Sequence, residues 1–113
     1  MKHSYESGWF LPGGSVDRNE PIYSAVKREL MEEAGIQVIG EPRLFASYVN
    51  KMLWASDYPF LFIVEKFSQI VVKSPEISQL GWFNMHEIPE TTSPGSKRRL
   101  HEYFNNLLPS EKW

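Results

Sequence analysis

Three glutamates, Glu29, Glu32 and Glu33, fall on a segment whose apolar residues recur at helical spacing. At about 100° per residue, with Ile22 at zero, Val26 lies near +40°, Ala25 near −60° and Leu30 near +80°. These form an ordinary core-facing stripe. Glu29 falls at about −20° and Glu33 at about +20°, in the centre of that stripe, and Glu32 at about −80°, on its edge. One helix face therefore changes from apolar to acidic within two turns. The i, i+4 pair Glu29/Glu33 destabilises an isolated helix by about 0.2–0.5 kcal/mol. Both residues also lie toward the C-terminal end, where the macrodipole disfavours negative charge. Local penalties gathered at one place point to an external compensation, and a divalent cation is the simplest one. Carboxylates without His or Cys suit a hard, oxygen-seeking ion, Mg²⁺ or Mn²⁺, rather than zinc. Such an ion keeps coordination positions open for water and phosphate oxygens.

The elements that must position these carboxylates are legible on either side. Trp9-Phe10-Leu11 is a short apolar run ended by the turn signal Pro12-Gly13-Gly14. Glu20-Pro21 opens the acidic helix, with proline in its permitted first turn, and Gly35 is a suitable left-handed stop. Ile36 to Ile39, Pro42 to Asn50, Phe60 to Phe67, Gln69 to Lys73 and Gly81 to Phe83 read as strands, and Lys51 to Pro59 as a hairpin loop. Ser93-Pro94-Gly95-Ser96 is a turn. A second helix follows, with Leu100, Tyr103, Phe104, Leu107 and Leu108 on one predicted apolar stripe before Pro109. The expected fold class is α/β (α+β): a single domain over residues 1–113, built as an α/β/α sandwich with a mixed sheet.

Composition narrows the function classes. The 113 residues fit one domain, with 42% hydrophobic and 14% aromatic content, enough for a packed core. A net charge of −2 offers no basic surface for non-specific nucleic-acid binding, so DNA is not an expected partner. The absence of cysteine excludes a disulfide framework, a thiolate zinc site and a cysteine nucleophile. No signal-peptide core stands at the N-terminus, and the longest apolar run, Tyr58 to Val64, is too short to span a bilayer. A cytoplasmic protein is expected.

A Glu-rich helix is a solvated surface in about four cases of five. The complete pattern changes that balance. Gly14, five residues, Glu20, seven residues, and then Arg28-Glu29-Leu30-Met31-Glu32-Glu33-Ala34-Gly35-Ile36 resembles the Nudix box at every specified position. Seven fixed residue types at about 6% each, over roughly ninety start points, would coincide by chance in about one chain in several million. The approach Trp9 to Gly14 and the later segment Glu76 to Phe83 followed by Glu87-Ile88-Pro89 are similar to the same family, the MutT-like Nudix hydrolases. The resemblance implies hydrolysis of a nucleoside diphosphate linked to another group, by water attack on phosphorus with Mg²⁺ or Mn²⁺. It implies metal ligation by Gly14 (through its carbonyl), Glu29, Glu32 and Glu33, and catalytic roles for Glu29, Glu32 and Glu76. Glu29 and Glu76 are both candidates for the general base, and Glu76 is equally readable as an exposed loop carboxylate. Arg28 and Glu20 support the site: Arg28 either pairs with Glu20 and holds the loop against the helix, or pairs with Glu32 at i+4, or both.

Family domains usually carry two strands before the Gly-rich loop, whereas thirteen residues precede Gly14 here. The fold is therefore expected without its usual N-terminal strands, with His3-Ser4-Tyr5 resembling the end of the second. A misassigned start, a partner chain covering the exposed edge, and a shortened form all account for this. An uncovered edge invites strand pairing, so a homodimer is expected. The alternative function is a Nudix-fold module that binds a nucleotide or protein without turnover, its pocket being incomplete. Lys97-Arg98-Arg99 reads as a solvated basic turn, Trp54 and Tyr58 as loop aromatics able to stack on a base or to pack, and Trp9, Trp82 and Phe83 as core or pocket wall.

Overall fold

The computed structural model describes residues 1–3, 8–70 and 77–113. Its elements are β1 (Lys2–His3), α1 (Ile22–Ala34), β2 (Ile36–Val38), β3 (Arg43–Ser47), β4 (Asn50–Lys51), β5 (Ser56–Asp57), β6 (Phe60–Ile63), β7 (Phe67–Gln69), β8 (Ile77–Gln79) and α2 (Pro94–Phe104).

α1 begins after Pro21, whose carbonyl accepts the first helical bond from Ala25 at 2.9 Å. It ends where Gly35 turns left-handed, at φ 65°, and its N–H caps the Leu30 and Met31 carbonyls. Only a residue without Cβ adopts this conformation freely, so the glycine sets the helix length and with it the height at which Glu33 stands.

Residues 36–69 form one long interrupted hairpin. β2 pairs antiparallel with β7, β3 with β6 and β4 with β5, each pair nested inside the last. Gly40, at φ 78°, and Pro42 separate β2 from β3. A register shift between Leu44 and Ala46 bends the middle of the ladder. The turn is tighter than the expected Lys51 to Pro59 loop: Met52 N–H reaches the Ala55 carbonyl at 2.9 Å, and both flanking pairs are strand. β1 pairs antiparallel with β8, and two isolated bridges, Trp9 with Thr92 and Val49 with Lys112, are parallel.

The two helices meet the hairpin through different rings. Phe62, opposite Leu44, meets Tyr23 of α1 edge-on at 5.1 Å. Phe45, one residue from Leu44, meets Tyr103 of α2 at 5.7 Å. Two helices with antiparallel strand pairs are the expected mixed α+β class.

Three expectations fail. Gly81 to Phe83 is not a strand; these residues are irregular, and their rings are held by aromatic contacts instead. The second helix stops at Phe104, with Asn105 as C-cap and Asn106 left-handed at φ 53°. Leu107 and Leu108 fall beyond it and are exposed. The buried residues of α2 are Gly95, Ser96, Arg99 and Glu102, so its inward face is polar. Arg99 is not part of a solvated basic turn. Its side chain is 1% exposed, lies over the rings of Tyr48 and Trp113 at 4.2 and 5.1 Å, and pairs with Glu102 at 3.0 Å. Glu102 in turn accepts from Tyr48 Oη and the Ser110 N–H, both at 2.9 Å.

Candidate functional site

The chain approaches the acidic helix along the start of α2. Trp9 N–H donates to the Thr91 carbonyl at 3.1 Å, Ser93 N–H returns to the Trp9 carbonyl at 2.8 Å, and Leu11 N–H donates to Ser96 Oγ at 3.1 Å. These bonds aim Pro12-Gly13-Gly14 at α1. Gly13 N–H donates to Glu33 Oε2 at 3.2 Å. A Cβ on Gly14 would overlap the Glu29 carboxylate. The loop backbone thus touches both glutamates of the inward face, and only glycine allows this approach at position 14.

Arg28 ties the loop to the helix. Its Nε and Nη2 grip Glu20 bidentately, at 2.8 and 2.9 Å, and Nη2 also donates to the Ser15 carbonyl at 2.9 Å. Its Nη1 reaches Glu29 at 2.9 Å and Glu32 at 3.1 Å. The two expected pairings of Arg28, with Glu20 and with Glu32, therefore coexist. They use different nitrogens of one planar fork, which a lysine could not reproduce. Arg28's hydrogen bonds, helped by the Asp17 backbone N–H, hold the Glu20 carboxyl down at about 2. The same bonds to Glu20 raise the Arg28 guanidinium above its usual value.

Sequence reading missed Asp17, which lies 3.4 Å from Arg28 Nε, donates its N–H to Glu20 Oε1 and accepts from the Glu20 N–H, both at 3.0 Å. The turn composition Asp17-Arg18-Asn19 was the available signal, and Asn19 is left-handed at φ 62°. Four carboxylates around one guanidinium leave an excess of negative charge at this end of α1.

Glu29 is 15% exposed at its side chain and Glu32 59%, so Glu29 faces inward with Glu33 while Glu32 stands at the solvent rim. Among the described residues no three His, Asp or Glu side chains stand grouped as metal ligands. The hydrogen bonds account for it: Glu32 and Glu29 turn toward Arg28, and Glu33 toward Gly13. The donor set nevertheless fits a hard cation. It is all oxygen, carries surplus negative charge, and adjoins a glycine where any Cβ would intrude. Glu76, the fourth glutamate of interest, lies outside the described residues.

Comparison with known proteins agrees with this arrangement. The NUDIX domain family profile matches residues 1–104. The chain is 33% identical over 93 residues to the NAD-capped RNA hydrolase NudC of Citrobacter koseri and 32% identical to that of Escherichia coli, covering 79% of this chain and 34% of each relative. It therefore spans about a third of the length of the curated relatives it matches. The crystal structure of a MutT NUDIX hydrolase from Burkholderia pseudomallei superposes with a TM-score of 0.76 at 27% identity, covering 89% of this chain and 83% of that one. With its signature residues placed on a Gly-rich loop and the inward face of an acidic helix, the chain belongs to the Nudix hydrolase family.

Proposed function

We infer that this protein is a Mg²⁺- or Mn²⁺-dependent pyrophosphohydrolase that cleaves a nucleoside diphosphate linked to another group. The observation that carries this reading is the contact of one Gly-rich loop with both inward glutamates, Gly13 with Glu33 and Gly14 with Glu29. Glu29, Glu32, Glu33 and the Gly14 carbonyl would hold the metal, which when bound neutralises phosphate charge and lowers the pKa of water. Glu20 and Arg28 keep the loop seated on the helix. In the reaction a water oxygen bonds to phosphorus, the phosphoanhydride P–O bond breaks, and the water proton passes to a carboxylate, Glu29 or Glu76. Glu32, at the rim, serves the charge balance of the same site. NudC relatives act on NAD-capped RNA, which makes dinucleotide pyrophosphates the first substrates to try.

The non-hydrolytic alternative needs no surplus of negative charge beside a glycine cradle, and the arrangement at Gly14 favours turnover. We also propose a cytoplasmic homodimer of this single domain; a monomer by sedimentation at micromolar concentration counts against the dimer. Among the described residues no helix is long and apolar enough to cross a membrane.

Release of nucleoside monophosphates from NAD, ADP-ribose, nucleoside triphosphates, dinucleoside polyphosphates and capped RNA, with Mg²⁺ or Mn²⁺, tests the reaction. Glu33→Gln should lose activity by about 10²-fold or more while metal-free stability holds, since it relieves a like-charge pair. No turnover of any compound by a protein that still binds metal would refute the enzymatic reading.

A further inference from the structure

We infer that Ser96 is a positioning residue of the carboxylate site: its hydroxyl, on the first turn of α2, sets where Gly13 and Gly14 meet Glu33 and Glu29. The inference rests on the reading above for the chemistry of that site, and adds that a side chain outside it, far along the chain, governs its geometry.

Residues 9–11 run beside residues 91–93 as a parallel pair, bridged between Trp9 and Thr92. Trp9 N–H donates to the Thr91 carbonyl and Ser93 N–H to the Trp9 carbonyl, at 3.1 and 2.8 Å. The parallel pattern would continue with Leu11 N–H donating to the Ser93 carbonyl. That acceptor is already engaged. Ser93 is the N-cap of α2, and its carbonyl takes the first helical bond, from Lys97 N–H at 2.9 Å. The Ser96 hydroxyl stands in for it and accepts the Leu11 N–H at 3.1 Å. A side chain thus supplies the bond that the ladder loses where the helix begins.

Leu11 carries the last N–H before the glycines, because Pro12 has none. The next donor along the chain, Gly13 N–H, reaches Glu33 Oε2 at 3.2 Å. Pro12 also has a fixed φ and restricts the residue before it, so the position of Leu11 is passed on to Gly13 through stiff chain. Gly14 tolerates little error, since one added carbon would overlap the Glu29 carboxylate. A misplacement of about 1 Å at a reacting site can cost about 10²-fold in rate. The Ser96 hydroxyl therefore acts on the site through the loop, without touching metal or substrate.

Ser96 is itself held firmly. It is 4% exposed, Ser93 Oγ donates to its Oγ at 2.9 Å, and its N–H donates to Ser93 Oγ at 3.3 Å. A polar side chain at this third helical position ordinarily reaches back to the N-cap N–H. Here that N–H is given to the Trp9 carbonyl, and the Ser96 hydroxyl is left for Leu11. The neighbouring Gly95 lets Trp113 lie against the turn, since a Cβ there would come within 2.6 Å of the indole Nε1. Arg99 lies over the same indole at 5.1 Å, so its buried joint steadies the platform from which Ser96 acts.

Amide exchange, binding of Mn²⁺ alone and turnover are the readouts. The Leu11 amide of the wild-type protein should be protected. Ser96→Ala should speed exchange at Leu11 and Gly13 about tenfold and leave Trp9, which is held by backbone, unchanged. It should weaken Mn²⁺ binding about threefold by calorimetry and lower kcat about tenfold, with KM within about twofold. Ser96→Thr should keep most of the wild-type behaviour, and Ser96→Val, of the same shape without the hydroxyl, should match Ser96→Ala; this pair carries the test if Ser96→Ala does not fold. Ser93→Ala removes the α2 cap and should lower the melting temperature at least as much as Ser96→Ala, with a smaller loss of kcat. An unprotected Leu11 amide in the wild type, exchange and Mn²⁺ affinity unchanged in Ser96→Ala, no difference between Ser96→Thr and Ser96→Val, or equal kcat losses in Ser93→Ala and Ser96→Ala would each overturn the assignment. A wild-type protein that hydrolyses no pyrophosphate, with the exchange and Mn²⁺ responses as expected, would refute the enzymatic reading alone; an active enzyme indifferent to Ser96→Ala would refute this one alone.

Discussion

Arg28 of α1 and Arg99 of α2 each gather acidic and backbone acceptors, under opposite conditions. Arg28 is 24% exposed and serves Asp17, Glu20, Glu29 and Glu32, so its surroundings are short of positive charge. Arg99 is 1% exposed and serves one carboxylate, Glu102, with two aromatic rings covering its planar faces. The Arg99 pair is charge-balanced and dry, and its Nε, though 3.0 Å from Glu102 Oε1, is not aligned for a hydrogen bond. The Arg28 cluster is unbalanced and wet. Balance suits a structural joint; imbalance suits a site that has to accept a cation.

The contrast is broken most severely at Arg99. Arg99→Met leaves Glu102 buried without its counter-ion and should cost about 3–5 kcal/mol in urea denaturation. Adding Glu102→Leu should recover part of the loss, because the uncompensated charge is then removed as well. A cost under about 1 kcal/mol for the single variant would mean that α2 is not joined to Tyr48 and the C-terminal residues by this pair.

Gly14→Ala should act on the other cluster with the opposite profile. Its Cβ displaces the Glu29 carboxylate, so we expect about a tenfold or greater loss of kcat with little change in melting temperature. A stability loss matching that of Arg99→Met would instead make the loop a core element.

Acid and salt should separate the two clusters with the smallest effects. Glu20 and Glu102 both have folded pKa values below their usual 4.5. For Glu20 the cause is Arg28. For Glu102, burial pushes upward, but bonds from the Ser110 N–H, Tyr48 and Arg99 outweigh it. A depressed carboxylate contributes stability that is complete above pH 4.5 and is lost as pH falls through its folded value, about 2 for Glu20. In 1 M salt, where the screening length falls to about 3 Å, the Glu20 contribution should shrink and the Glu102 contribution persist. Acid melts of Glu20→Gln at low and high salt measure this. A salt effect of equal size in wild type and Glu20→Gln would show that the Arg28 cluster contributes nothing to it.

Local chemistry explains why α1 and its loop were legible. Pro21 and Gly35 bound the helix through backbone geometry alone, and the Gly14, Glu20 and Arg28 spacing encodes a contact within about twenty residues of chain. The hairpin halves were legible for the same reason: β-branched and aromatic runs met across a short turn. α2 was misread because an apolar stripe of Leu and aromatic residues and a polar buried face are drawn from the same helix, and only the neighbours choose between them. Tyr48 and Trp113 supplied the rings that bury Arg99, from 51 residues before it and 14 after it. Gly81 to Phe83 was misread as strand because its rings, which raise strand propensity, are used in contacts with Trp9 and Phe67.

By itself the sequence determined the acidic face of α1, its glycine cradle, its terminators and the family to which they belong, since each is a matter of spacing along a few turns of chain. Tertiary structure alone decided how Arg28 divides its nitrogens among carboxylates, that Arg99 is buried, and that Trp82 stacks on Phe67. Those outcomes depend on which side chains from distant segments exclude water from one another, and no local pattern carries that information.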